Sequence, residues 1–184
     1  MVEMATWKNG EMAESILPIS EFAISPFFNF AISIDNHSVS NPQHEQDEPV
    51  ERPRDTRTSG ATTSGIRVQV QSTYVPAQSS PREGQFMFAY TIRISNVGHE
   101  TAQLLSRHWI ITDAEGEVHE VRGDGVIGRQ PVLEPGMTFE YTSYCPLKTN
   151  VGTMEGSYTM IRPDGERFEA RIAPFTLAVP NALN

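Results

Sequence analysis

The chain has 184 residues, with 14 lysines and arginines against 23 aspartates and glutamates, and its net charge of −9 argues against nonspecific nucleic-acid binding. Its single cysteine, Cys145, excludes an internal disulfide framework and a cysteine-rich zinc site and favours a reducing, cytoplasmic setting. No stretch supplies about 20 uninterrupted apolar residues, so no bilayer span is expected.

The most apolar N-terminal stretch, residues 16–34, is interrupted by Pro18, Glu21, Pro26 and Asn29. Its flank carries Glu3, Glu11 and Glu14 against Lys8, the wrong sign for a secretory n-region. Phe22-Ala23-Ile24-Ser25 is echoed by Phe30-Ala31-Ile32-Ser33, which reads either as a short docking element or as a leader without function, including one created by a start codon assigned too far upstream. Residues 36–65 hold Pro42, Pro49, Pro53 and many small polar or charged residues. Such a segment buries too little apolar surface to offset an ordering cost of roughly 1–2 kcal/mol per residue, so it reads as a disordered linker. Charge divides unevenly: residues 1–60 carry 4 basic and 10 acidic side chains, residues 61–184 carry 10 and 13. The chain therefore reads as a mostly disordered extension, 1–63, followed by a domain, 64–184.

From Ile66 the apolar period is two, the mark of half-buried strands. Ile66, Val68 and Val70 alternate with Arg67, Gln69 and Gln71. Phe86, Phe88, Tyr90, Ile92 and Ile94 form five same-face positions of a core strand. Residues 104–111 lack clean alternation and are expected to be covered on both faces. Met137, Phe139 and Tyr141 alternate again, as do Phe168, Ala170 and Ile172 against Glu169 and Arg171. Turn formers with a glycine separate these runs at Asn96-Val97-Gly98, Asp113-Ala114-Glu115-Gly116, Glu134-Pro135-Gly136 and Arg162-Pro163-Asp164-Gly165. Strands at this spacing, without a helical pattern, predict an all-β fold: an immunoglobulin or fibronectin type III-like β-sandwich of seven or eight strands.

One motif cuts across this reading. Gly123-Asp124-Gly125-Val126-Ile127-Gly128 spells GxGxxG, which in a dinucleotide fold brings a pyrophosphate to a helix N-terminus. Here Pro131 and Pro135 follow closely, and an internal proline costs a helix roughly 3 kcal/mol. The hexapeptide is therefore either an anion-holding β-loop or a tight glycine corner.

Several runs together resemble one family, the ApaG domain: 68–74 (Val-Gln-Val-Gln-Ser-Thr-Tyr), 77–81, 88–92, 104–109 (Leu-Leu-Ser-Arg-His-Trp), the glycine hexapeptide, 141–143, 152–158 and 175–180. The resemblance covers residues 64–184 and implies a fibronectin type III-like sandwich. It also implies an association with cobalt resistance and magnesium efflux, since bacterial members carry that label and are often encoded beside a diadenosine tetraphosphate hydrolase. Eukaryotic relatives in F-box proteins and in a DNA-polymerase-delta-interacting protein look like protein-interaction modules.

The expected function is thus a non-enzymatic binding module acting in divalent-cation homeostasis through a protein partner. The alternative is a phosphate, pyrophosphate or nucleotide ligand held at Gly123, Gly125 and Gly128 with Arg122 and Arg129 supplying bidentate contacts, against which Asp124 stands as a repelling charge. A hydrolase of dinucleoside polyphosphates is a third reading. No cofactor and no metal site are expected: His108, His119, Glu120 and Asp124 lack a ligand spacing, with His108 packing beside Trp109 and His119 solvated. No catalytic residue is expected either. Cys145 has no activating neighbour, Ser79, Ser106 and Ser143 lack a nucleophile elbow, and Glu140 and Glu169 face water. The candidate partner surfaces are residues 77–85, the glycine loop and residues 145–155, and a homodimer is a further expectation. The acidic balance suits a partner with a basic patch.

Overall fold

The computed structural model describes residues 2–8, 11–17 and 57–182 of the chain. Its strands are β1 (Val2–Lys8), β2 (Glu11–Leu17), β3 (Arg57–Thr63), β4 (Ile66–Tyr74), β5 (Phe86–Asn96), β6 (Ala102–Asp113), β7 (Val118–Asp124), β8 (Val132–Leu133), β9 (Thr138–Leu147), β10 (Val151–Ile161) and β11 (Arg167–Ala178). Helical geometry among the described residues is limited to two 3₁₀ turns, Pro76–Gln78 and Pro81–Glu83, each opened by a proline. The strands form a six-stranded sheet in the order β2-β1-β9-β5-β4-β3 and a second sheet in the order β11-β10-β6-β7, with the short β8 also on β6. Every pairing is antiparallel except β1 with β9.

The expected alternation is the one that builds the core. Ile66, Val68 and Val70 from β4, Phe88, Tyr90, Ile92 and Ile94 from β5, and Ala170 and Ile172 from β11 are all buried. Between the sheets Trp109 meets Tyr90, Tyr158 and Phe175 in edge-on geometry, with ring centroids 5.7–6.2 Å apart. The sheets are also pinned by a buried hydrogen bond of 2.6 Å between the Tyr141 and Tyr158 hydroxyls. Burial and the neighbouring Tyr141 push the Tyr158 phenol well above its ordinary range.

Two expectations need correction. Residues 57–63 are not linker. They form β3, which pairs along its length with β4 through a two-residue turn, Ser64-Gly65, with φ of 48° and 83°. Positive φ at both turn positions matches the twist of the flanking strands, so the turn nucleates a hairpin that composition alone hides. Small hydroxyl residues suit this strand because it closes against β11: Ser59 Oγ donates to the Ala173 carbonyl (3.2 Å), and Thr63 Oγ1 accepts from Arg171 N–H (3.2 Å). The expected linker upstream of residue 57, like the apolar echo at 22–33, lies outside the described residues. Second, the irregular alternation of residues 104–111 comes mainly from a bulge. Opposite β10 the register shifts between Thr159, which faces Ser106, and Met160, which faces Leu104. Leu105 is the extra residue, and beyond it the alternation restarts with Arg107, Trp109 and Ile111 pointing into the sandwich.

Candidate functional site

Downstream of the bulge, the inward position that regular alternation would give to an apolar side chain belongs to Arg107, only 7% exposed. A buried guanidinium needs acceptors, and the glycine hexapeptide supplies them. Arg107 Nη1 donates to the carbonyls of Gly125 (2.7 Å) and Asp124 (3.1 Å). Gly123, the last β7 residue but one, makes room for this: a Cβ there would lie 2.9–3.0 Å from the guanidinium atoms.

The rest of the hexapeptide is a hairpin. Gly125 N–H donates to the Leu105 carbonyl (2.8 Å), while Val126 and Arg129 exchange backbone hydrogen bonds of 2.8 and 2.9 Å. Between them Ile127 and Gly128 carry φ of 44° and 72°, the positive pair of a type I′ turn. Gly125 has φ 60°, and a Cβ on it would fall 2.2 Å from the Arg129 carbonyl oxygen. A branched residue such as Ile127 rarely adopts positive φ. It is held there by apolar anchoring: Val126 is fully buried and Ile127 packs against the core. Three of the loop's amide donors are thus spent on backbone acceptors and two of its carbonyls on Arg107. Of the five predicted ligand residues, Gly123, Gly125 and Gly128 shape this corner. Arg122 projects from the outer face of β7, where it donates to Glu120 Oε2 (3.2 Å), and Arg129 closes the turn.

Beside the loop, the outer face of the β11-β10-β6-β7 sheet holds an open depression of about 590 Å³ whose walls include Arg107, His108, Arg122, Asp124, Ser157 and Glu169. The register aligns Ser157, His108 and Arg122 in one row across three strands. His108 Nε2 lies 2.9 Å from Glu120 Oε2, and Ser157 Oγ donates to Glu169 Oε2 (2.6 Å). The hydrogen bonds from His108 and then Arg122 hold the exposed Glu120 carboxyl below its usual value. Ser157 and Arg107 carried no sequence signal: one is a hydroxyl on an alternating strand, and the other bonds backbone carbonyls, which no motif spells.

The other sequence candidates separate. His119 pairs with Ile111 in register and lies on the opposite face of β7 from Glu120 and Arg122, near Glu117 (3.4 Å), so it does not converge with His108. No group of three or more metal-ligating side chains occurs among the described residues. Cys145 is buried, and burial pushes its thiol up to about 12, far from thiolate chemistry at neutral pH. Ser79 serves the backbone, donating to the Val75 carbonyl (2.8 Å) and accepting from Met87 N–H (2.9 Å), and Ser143 is buried.

The family model described as the ApaG domain matches residues 76–162. Protein ApaG of Anaeromyxobacter dehalogenans strain 2CP-1 is 59% identical over 126 residues, 68% of this chain and 99% of that protein. Protein ApaG of Bordetella pertussis is 56% identical over 119 residues, 65% of this chain and 91% of its own length. A crystal structure of a putative ApaA protein from Bordetella pertussis superposes with a TM-score of 0.63 at 51% identity, covering 71% of this chain and all of that one.

Proposed function

This chain belongs to the ApaG family, and from that membership we propose that its domain is a non-enzymatic binding module working through a protein partner. The observation that carries this reading is the internal satisfaction of the glycine hexapeptide. An anion-binding nest needs consecutive amides free to point at the ligand. Here the amides of Gly125, Val126 and Arg129 are already hydrogen-bonded within the fold, and Arg107 neutralises the loop from inside. The motif most suggestive of a ligand is thereby explained as architecture, and the surfaces remain for recognition. The cation-homeostasis role that the resemblance implies then operates at one remove, with the domain modulating a partner that handles Co²⁺ or Mg²⁺. A cytoplasmic location goes with this reading and rests on cysteine usage. No helix among the described residues is long and apolar enough to cross a membrane.

A second reading has one observation in its favour: His108 and Arg122 stand side by side on the open depression of the outer face, and two such hydrogen-bonding groups suit a phosphate. The test is an amide-resolved NMR titration of the full chain with pyrophosphate, ATP, Mg²⁺ and Co²⁺ in turn. Spectra unchanged through millimolar ligand are expected. Saturable shifts at Gly123, Gly125 and Gly128 with a phosphate ligand would replace the module reading with the phosphate-binding one, and turnover of a dinucleoside polyphosphate would install a hydrolase.

A further inference from the structure

We propose that the free edge of β7 pairs with the β7 edge of a second copy of this chain, joining the two sheets about a two-fold axis at Val121. β7 is the last strand of its sheet. Its register with β6 is bounded by Asp113 N–H donating to the Glu117 carbonyl (3.0 Å) and by Gly125 N–H donating to the Leu105 carbonyl (2.8 Å). Odd-numbered positions therefore turn their main chain toward β6, and Val118, Glu120 and Arg122 turn theirs outward. Among the described residues no hydrogen bond reaches those outward groups. β2 of the other sheet approaches β7 but does not pair with it. The opposite end of the same sheet differs, because there β11 is closed by the hydroxyls of Ser59 and Thr63. An unpaired edge is a template for another strand.

Charge selects a second copy as that strand. Glu120 and Arg122 stand two positions apart on the outer face of β7, with side chains 53% and 69% exposed. When two β7 strands pair antiparallel about Val121, Glu120 faces Arg122 of the second copy and Arg122 faces its Glu120. Each of these pairs exchanges two main-chain hydrogen bonds, and the same surface serves both subunits. A centre one position earlier sets Glu120 against Glu120; one position later sets Arg122 against Arg122 and Glu120 against Asp124. Like charges directly opposite are destabilising, so both shifts are penalised. Centres further out run off the strand, at the turn after Asp113 or at Asp124, whose carbonyl is already bonded to Arg107. On the inner face position 119 meets position 123 of the copy, where a glycine leaves room for the imidazole. Arg122 of the second copy then reaches Glu120, the carboxylate that holds His108, so each copy places a cation beside the other's depression. The pairing stands on this edge and its charges and does not depend on the binding-module reading.

The test is sedimentation equilibrium of the full chain from micromolar to millimolar concentration, with two variants. The wild-type chain is expected to pass from monomer to dimer over that range, with amide exchange at Glu120 and Arg122 slowing as the dimer forms and exchange at Val70, in the other sheet, unchanged. Arg122→Glu leaves two glutamates on the edge and Glu120→Arg leaves two arginines, so each variant alone should associate at least about tenfold more weakly. An equimolar mixture of the two restores opposite charges at both pairs and should dimerise like the wild type. Both substitutions are on exposed side chains, and an amide spectrum like that of the wild type checks that each variant is folded. A wild-type chain that stays monomeric at millimolar concentration overturns the proposal. So does a dimer that either variant alone forms as tightly as the wild type, or a mixture that fails to recover association. None of these results would touch the binding-module reading, which the ligand titration above decides separately.

Discussion

Arg107 and Gly123 should be energetically coupled, because one exists to accommodate the other. Replacing Arg107 by Met removes a buried cation and its donors while keeping a side chain of similar reach. Hydrogen bonds from charged groups are worth about 1.5–3 kcal/mol each, and a buried carbonyl left without a partner costs about 1–3 kcal/mol. Two carbonyls, on Asp124 and Gly125, lose their donor. Relief from desolvating the guanidinium offsets part of that loss, so the expected destabilisation is about 2–3 kcal/mol. Gly123 does not carry a positive φ, so alanine is compatible with its backbone. Its methyl would nonetheless press on the guanidinium at 2.9–3.0 Å, costing about 1–2 kcal/mol. In the Arg107→Met background the obstacle is gone, and Gly123→Ala should be close to neutral or slightly stabilising. Urea unfolding of the four proteins at one pH closes the cycle, with constant m-values as the two-state check. A coupling energy of about 1 kcal/mol or more is expected; additivity within about 0.3 kcal/mol would refute the account of why glycine stands at position 123.

Gly125→Ala combines positive φ with a backbone collision and should cost at least about 2 kcal/mol in the same unfolding assay, whether or not the loop binds anything. Cys145 should resist a water-soluble thiol reagent at pH 8 in the native protein and react on unfolding; native labelling at the free-thiol rate would contradict its burial. Because its folded pKa is raised from 9.0 to about 12, its contribution to stability is complete below pH 9 and is lost as pH climbs toward 12, a slope that Cys145→Val should flatten. For Glu120 the sign is opposite. Its carboxyl is depressed below 4.5, so its contribution is present above that pH and fades as pH falls through the folded midpoint. A carbon-detected NMR titration should place that midpoint below 4.5 and show it rising in His108→Asn. Tyr158→Phe should cost about 1 kcal/mol by removing the buried hydroxyl pair, and an unchanged urea midpoint would count against that hydrogen bond.

The parts of the fold legible in the sequence are those where one face is buried and the register regular. β4, β5 and β11 up to Ile172 show this, since a period of two encodes burial directly. β3 escaped because, besides its ladder with β4, it meets β11 through hydroxyl hydrogen bonds. A segment that satisfies hydroxyls against β11 needs no apolar stripe, and its only local signal was the Ser64-Gly65 turn. β6 was blurred by a single extra residue, since a bulge at Leu105 inverts the facing of everything after it and disguises Arg107 as a surface side chain. The candidate site was harder still. Its row of Ser157, His108 and Arg122 is assembled across three strands from residues up to 49 positions apart, a juxtaposition set by pairing register and by no spacing within one segment.

The glycine hexapeptide shows why a motif must be weighed with its context. In a dinucleotide fold, glycines let the backbone approach a phosphate from outside. In this sandwich, two of the three glycines answer approaches from inside: Gly123 admits the Arg107 guanidinium, and Gly125 admits the Arg129 carbonyl. Gly128 supplies the second positive φ that a type I′ turn requires. Each glycine is accounted for before any ligand is invoked, and the charge the loop was expected to bind is replaced by one the fold already owns, a cation rather than an anion. A phosphate at this loop would have to compete with hydrogen bonds that hold the β6–β7 corner together.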